Sequence, residues 1–296
     1  MNKWNFIGWA LLSGLLALVS CDDRSESEPK HEIRLTSAIL STARGTDLNL
    51  QSTKIVAGQP VGVTITKAST AHHNVLWLAD AHGMLVNVGT PVYWGNSAIT
   101  VTAYHPYHAD WTGTNHTFAV ETDQTTDEGY LNSDLLWAQA TASASDAPVD
   151  LNFTHRLAKV NVTLTSDDLT DLSHIGISIC GTHLSAGFNP TTGLLGSASG
   201  NVADIKASVT TETAHTASAV IIPQTVGQGT KFVKITYDGR DYFHTMPDTV
   251  EFKSGRSYHF QLKLSVKNNN GIGFVYEDAE MTEGDTYDFT FEWSNE

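Results

Sequence analysis

The residues of this chain best equipped for chemistry are its 13 histidines, one acidic loop and two cysteines. His72 and His73 are adjacent, so a strand sends them to opposite faces, and His105 and His108, three apart, are separated in the same way. There is no His-Glu-x-x-His and no Cys-x-x-Cys, the spacings that bring ligands together on one zinc ion. Asp167, Asp168 and Asp171 offer oxygens of the kind calcium takes, but carboxylates in a loop are ordinarily only solvated. Gly196-Ser197-Ala198-Ser199-Gly200 has the outline of a nucleophile elbow, yet Ala198 stands where the nucleophile must be. A phosphate-cradling loop is also missing. These patterns predict no catalytic residue, no metal ligand and no cofactor, and the chain reads as a non-enzyme.

Cys21 has a different chemistry. It follows Leu18-Val19-Ser20 at the end of an apolar run over residues 9–19, with Lys3 ahead of it. That order fits a signal peptide, and the run is shorter than the ~20 residues a membrane-spanning helix needs. The last four residues read as a bacterial lipobox, in which cleavage precedes the cysteine and its thiol is acylated. Residues 1–20 are thus predicted to be a lipoprotein signal peptide and Cys21 the lipid attachment site, holding the chain on a membrane without crossing it. Cys180 is then left without a disulfide partner, so the exported fold must rest on an ordinary apolar core. Residues 21–30 form a short acidic tether. This run is similar to the one behind the acylated cysteine of Bacteroidota lipoproteins sent to the cell surface, which implies the outer face of the outer membrane. With a net charge of −15 and no basic stretch, the chain is not expected to bind nucleic acid.

The elements that must position everything else are strands. Val61, Val63 and Ile65 alternate with Gly62, Thr64 and Thr66, and Val160, Val162 and Leu164 alternate with Lys159, Asn161 and Thr163. Tyr258, Phe260, Leu262, Leu264 and Val266 form a third run of period two. Each pattern predicts a strand with one face in a core and the other in water. Asp238-Gly239, flanked by Ile235, Tyr237 and Tyr242, predicts a hairpin. Many short strands predict an all-β chain of two β-sandwich domains in tandem. Residues 138–148 are small and polar and read as a linker or a long surface loop, which divides the chain into an N-terminal domain over residues 31–147 and a C-terminal domain over residues 148–296. One continuous two-sheet domain is the competing reading.

Five stretches carry a resemblance. Asp150-Leu151-Asn152-Phe153-Thr154-His155-Arg156-Leu157-Ala158-Lys159-Val160 is similar to the strand that opens the C-terminal domain of the fimbrillin-like family of Bacteroidota. Tyr104-His105-Pro106-Tyr107, Asp134-Leu135-Leu136-Trp137, Ile221-Ile222-Pro223-Gln224 and Phe252-Lys253-Ser254-Gly255-Arg256-Ser257-Tyr258 resemble further family motifs, in family order. The resemblance implies two transthyretin-like sandwiches and a structural or adhesive subunit of the type V pilus, whose partners are other subunits joined by strand exchange. In that family a trypsin-like protease cuts after an arginine, the first strand leaves, and a neighbour's C-terminal strand fills the groove. Arg44, in a small flexible stretch behind the strand of residues 31–40, matches the cleavage position in character; Arg34 is the weaker candidate because it sits inside the strand. An exposed loop arginine of no special role is the alternative. The donor candidate is the aromatic face of Tyr287, Phe289, Phe291 and Trp293, which instead could pair as the last strand of its own domain. The region after Val266 departs from the family pattern. A non-polymerising surface lipoprotein that binds glycan or a host protein is the second functional reading, with Tyr93, Trp94, Tyr107 and Trp111 as its aromatic cluster.

Overall fold

Alternating apolar residues become strands almost throughout. The computed structural model describes residues 31–40, 51, 53–167, 169, 171–210, 215–267, 271–275 and 286–289; the expected signal peptide and tether, Cys21, Arg44, Phe291 and Trp293 lie outside them. In chain order the elements are β1 (Leu35–Ile39), β2 (Pro60–Thr66), β3 (Ala71–Ala79), β4 (Met84–Asn87), β5 (Ile99–His105), β6 (His116–Ala119), α1 (Asp127–Ser133), β7 (Leu136–Ala142), β8 (Val149–His155) and β9 (Ala158–Ser166). They continue as β10 (Gly176–Asn189), β11 (Leu194–Lys206), β12 (Ser208–Thr210), β13 (His215–Ile221), β14 (Gln224–Val226), β15 (Lys231–Tyr237), β16 (Arg240–Thr245), β17 (Val250–Phe252), β18 (Ser257–Lys267), β19 (Gly271–Val275) and β20 (Thr286–Phe289).

The first sheet, ordered β1-β4-β3-β2-β5-β7-β8, closes on itself. Closure is made by β1, antiparallel to β4 on one side and parallel to β8 on the other, with Leu35 opposite Val149 and Ile39 opposite Phe153. A closed sheet has no free edge to protect. Val61, Val63, Ile65, Val101, Leu151 and Phe153 fill its interior and are fully buried. Where a sandwich was expected, the first sheet is therefore closed and barrel-like. The expected division at 147/148 falls between β7 and β8, which are neighbours in it. Half of the expected linker, residues 138–142, is the small-residue strand β7.

The second body is a sandwich. One sheet runs β11-β10-β15-β16, with β6 added to β10; the other runs β12-β13-β9-β18-β19, with β20 added to β18; β14 and β17 pair separately. Val160, Val162, Leu164, Ile179, Phe232 and Phe260 are among the residues that fill the space between the sheets. Lys159 and Asn161, expected in water, are buried on β9, a central strand between β13 and β18. Asn161 is satisfied there, donating to Ser257 Oγ at 2.8 Å and accepting from Ser218 Oγ at 2.7 Å. The Asp238-Gly239 turn forms as its residue types require, both at positive φ, and joins β15 to β16. The helix α1 has no counterpart in the periodicity. Its signals are short: Thr126 caps it by accepting from Gly129 N, and Asp127 and Glu128 occupy its first turn.

The chain crosses between the two cores three times. Residues up to Ala103 build the first core, then Tyr104, Trp111, Phe118, Tyr130 and Leu135 enter the second. Leu136 to Phe153 return to the first, and from Leu157 onward the side chains belong to the second. The strand β6 shows the same exchange in its backbone, pairing Phe118 with Ala186 of β10.

Candidate functional site

Two of these crossings lie side by side and are tied by buried polar groups. Asp134 caps the C-terminal end of α1 and His155 ends β8; His155 Nδ1 lies 2.7 Å from Asp134 Oδ1. Gln51 Nε2 donates to Asp134 Oδ2 at 3.1 Å, and Arg156 N donates to Leu135 O at 2.8 Å. His105 stands close by, its ring nitrogens 2.9 Å from Pro60 O and 3.2 Å from Leu131 O. Burial opposes charge on Asp134, but the His155 ring beside it outweighs that and holds the carboxyl below its ordinary pKa. Burial likewise opposes charge on His155, and the Asp134 carboxylate raises it above the ordinary histidine value all the same. The two directions agree on a charged pair.

The first strand sits in a slot of the closed sheet. Ile33, Leu35, Ser37 and Ile39 point into the core at 1, 0, 4 and 7 % exposure. The backbone is held along its whole length: Ile33 N donates to Val92 O, Ser37 N to Gly83 O, Ile39 N to Thr53 O and Leu40 N to Phe153 O, all at 2.7–2.8 Å. Arg34 is exposed and stands one residue ahead of β1. Its carbonyl accepts from Val149 N at 2.8 Å and its guanidinium donates to Asp146 O. At the far end of the chain, β20 lies parallel to β18, with Tyr287 opposite Tyr258 and Phe289 opposite Phe260. The two terminal strands thus meet different sheets.

A comparison with family models decides what this arrangement belongs to: residues 49–278 match the fimbrillin-like model. The chain belongs to the fimbrillin-like family. Among solved structures, a candidate cell adhesion protein from Bacteroides ovatus aligns with TM-score 0.64 at 19 % identity, covering 90 % of this chain and 99 % of that one. A second, from Bacteroides uniformis, gives 0.62 at 18 %, covering 84 % and 96 %. A fimbrial protein from Bacteroides ovatus gives 0.51 at 14 %, covering 78 % of this chain and 48 % of that one. At these identities the likeness establishes a shared fold. Comparison with curated proteins gives no match.

The fimbrillin-like motifs owe their residue types to this geometry. Asp134 and His155, read from two separate stretches, form the buried pair. Gly255, at φ +71°, approaches so closely that a Cβ there would stand 3.3 Å from His155 O. Tyr258 Oη donates to Glu251 O at 2.9 Å and accepts from Lys253 N at 2.7 Å, closing the turn before β18. Gln224 grips β10, accepting from His183 N and donating to His183 O. Apart from the turn closed by Tyr258, whose partners are five and seven residues away, these contacts join residues far apart in sequence and have no local signature. The four aromatics of the expected cluster differ in exposure: Tyr93 is exposed, Trp94 and Tyr107 are half-buried, and Trp111 is buried in a stack with His108, Tyr104 and His116. His72 and His73 fall on opposite faces of β3, half-buried and exposed. Asp167 pairs with Lys263 and Asp171 bonds Ser173 N, and no group of three or more metal-ligating side chains converges among the described residues. Cys180 is buried, with its thiol pushed up to about 12, mainly by burial and then by Asp204.

Proposed function

We propose that this fimbrillin-like chain is a structural and adhesive subunit of a type V pilus. It is exported as a lipoprotein on Cys21 to the outer membrane surface and assembled by strand exchange after removal of its first strand. The observation that carries this reading is the closure of the first sheet by β1, a strand at the N-terminal end of the fold inserted between β4 and β8. Ile33, Leu35 and Ile39 bury three large apolar side chains there, worth about 5–9 kcal/mol at ~1.5–3 kcal/mol each. A slot vacated by β1 would expose that surface together with two strand edges, which favours capture of another strand. A cut after Arg44 would release β1 whole. A cut after Arg34 would leave Leu35–Ile39 in place, so Arg44 is the proposed processing site.

The proposed donor is the face of Tyr287, Phe289, Phe291 and Trp293. In this reading the closed sheet and the sandwich stand for the two transthyretin-like sandwiches that the resemblance implies. Deleting residues 286–296 tests it: the expected result is a folded, cleavable chain that no longer polymerises, and polymerisation of the truncated chain would overturn it. The pairing of β20 with β18 favours a second reading, in which the last strand belongs to its own sandwich and the chain is a non-polymerising surface lipoprotein that binds glycan or a host protein. Unfolding of the same truncated chain would select that reading.

A further inference from the structure

We propose that the outer face of the β3–β4 hairpin is a membrane-docking surface, which rests on the bilayer to which Cys21 ties the chain. Seven large hydrophobic residues are exposed among the described residues, and four of them, Leu78, Val86, Val88 and Tyr93, gather on this hairpin and the loop behind it. Val86 and Val88 each leave 54 % of their surface in water.

Register brings them together. Leu78 pairs with Val86, and Val88 N donates to Leu76 O at 3.2 Å, which sets Leu76 opposite Val88. The alternate residues Trp77, Ala79 and Leu85 are buried in the first core. Both faces of the hairpin are therefore apolar, whereas an antiparallel pair with one face in water ordinarily keeps that face polar. Half-buried Pro60, opposite Leu78 on β2, and half-buried Met84 extend the patch. An apolar sheet face left open in this way marks a contact surface.

The occupant follows from where the chain enters the fold. Trp94 N donates to His31 O at 2.9 Å and Ile33 N to Val92 O at 2.8 Å, so His31 to Ile33 lie against the segment that follows Val88. His31 is ten residues beyond Cys21, a reach of at most ~33–36 Å. The tether leaves the fold beside the patch, and so short a leash favours the surface nearest its exit. Charge agrees. Lys67 donates to Tyr93 O at that end of the hairpin, Lys54 donates to Ala81 O at the other, and exposed Arg34 precedes Leu35, the partner of Leu85. No acid stands at positions 76, 78, 84, 86 or 88; Asp80 in the turn accepts from His82 N and Met84 N, and exposed Glu32 lies beside Tyr93. Aliphatic side chains ringed by cations suit acyl chains below lipid phosphates, and Tyr93 and Trp94 suit the headgroup layer between them. A second copy would bring the same cations to both sides of the contact, so the bilayer is the better match.

The inference rests on the lipid-anchor reading, and its test supplies the anchor chemically so that the two can fail separately. Cys180 is buried, so a chain beginning at Cys21 couples to a maleimide-headgroup lipid through Cys21. The vesicles are phosphatidylethanolamine and phosphatidylglycerol, doped with a phosphatidylcholine that carries a diazirine in its acyl chain. After irradiation, peptides from residues 71–94 should carry at least about tenfold more label than peptides holding the exposed Leu194 and Val202, because only a docked apolar face meets acyl chains. Val86→Glu combined with Val88→Glu, both at exposed positions, should keep the melting temperature and cut that label at least about tenfold. Even labelling of the two regions, or undiminished labelling of the folded double variant, would overturn the docking face. If the double variant does not fold, the wild-type contrast alone decides. The uncoupled chain should sediment as a monomer; a dimer that the double variant splits would assign the face to a second copy and overturn the bilayer.

Discussion

Replacing Asp134 by Asn tests whether the two chain crossings are locked by a charged pair. The change keeps the side chain's shape, leaves an amide to meet Gln51, and strips His155 of its counter-charge. Asp134 is 2 % exposed, so the penalty belongs to the class in which one member of a buried pair is removed, about 3–5 kcal/mol. The retained amide hydrogen bonds place it at the lower end, about 3 kcal/mol. Its pH dependence follows from the directions of the two shifts. His155 is raised in the folded state, so its contribution is fully present below the unfolded value near 6.5 and is lost as pH rises through the folded pKa. Asp134 is lowered, so its contribution is present above the unfolded value of 3.8 and is lost as pH falls through the folded pKa. Between these limits the pair is at full strength. In the variant, the buried His155 ring prefers to be neutral, and the variant gains stability as pH rises past that range. Lys159 adds to that preference. Urea unfolding followed by tryptophan fluorescence at pH 5.5 and pH 9 should show a gap from wild type of about 3 kcal/mol that narrows at the higher pH. A gap below about 1 kcal/mol at pH 5.5, or one that does not change with pH, would refute the charged pair.

Two further perturbations address other parts of the account. Gln124 clamps the backbone of Val220, donating to its carbonyl at 2.9 Å and accepting from its N–H at 2.8 Å; Gln124→Ala leaves both groups unpaired and should cost about 2–4 kcal/mol in urea unfolding. Cys21→Ala should abolish labelling by a radioactive fatty acid and release the chain from membranes, and normal labelling of that variant would end the lipoprotein reading.

The parts of the fold legible in the sequence are those with a local cause. Val61, Val63 and Ile65 alternate with small or polar residues and are fully buried, and Asp238-Gly239 makes its turn because both positions need positive φ. What was not legible depends on distant partners. Nothing local tells Leu35 that it will lie parallel to Val149, about a hundred residues on, and so close the first sheet on itself. The run of small residues at 138–142 reads as a linker because alanine and threonine carry little pattern, yet it completes that sheet between β5 and β8. The candidate site divides in the same way. Asp134, His105 and His155 were visible as members of motifs, while their convergence beneath the junction required the fold.

The central claim is that β1 is a removable strand whose slot receives another chain, and amide hydrogen exchange along Val149–His155 tests it most directly. Within this stretch Val149–Phe153 pair with β1 in the intact protein, whereas Thr154 and His155 pair with β7 and serve as the internal control, so the outcome is read from the amides of Val149–Phe153 that face β1. They should exchange slowly before cleavage, quickly once the chain has been cut after Arg44 and the β1 peptide removed, and slowly again in the polymer. Amides that stay protected in the cut monomer, or a polymer in which they remain exposed, would contradict strand exchange at this slot.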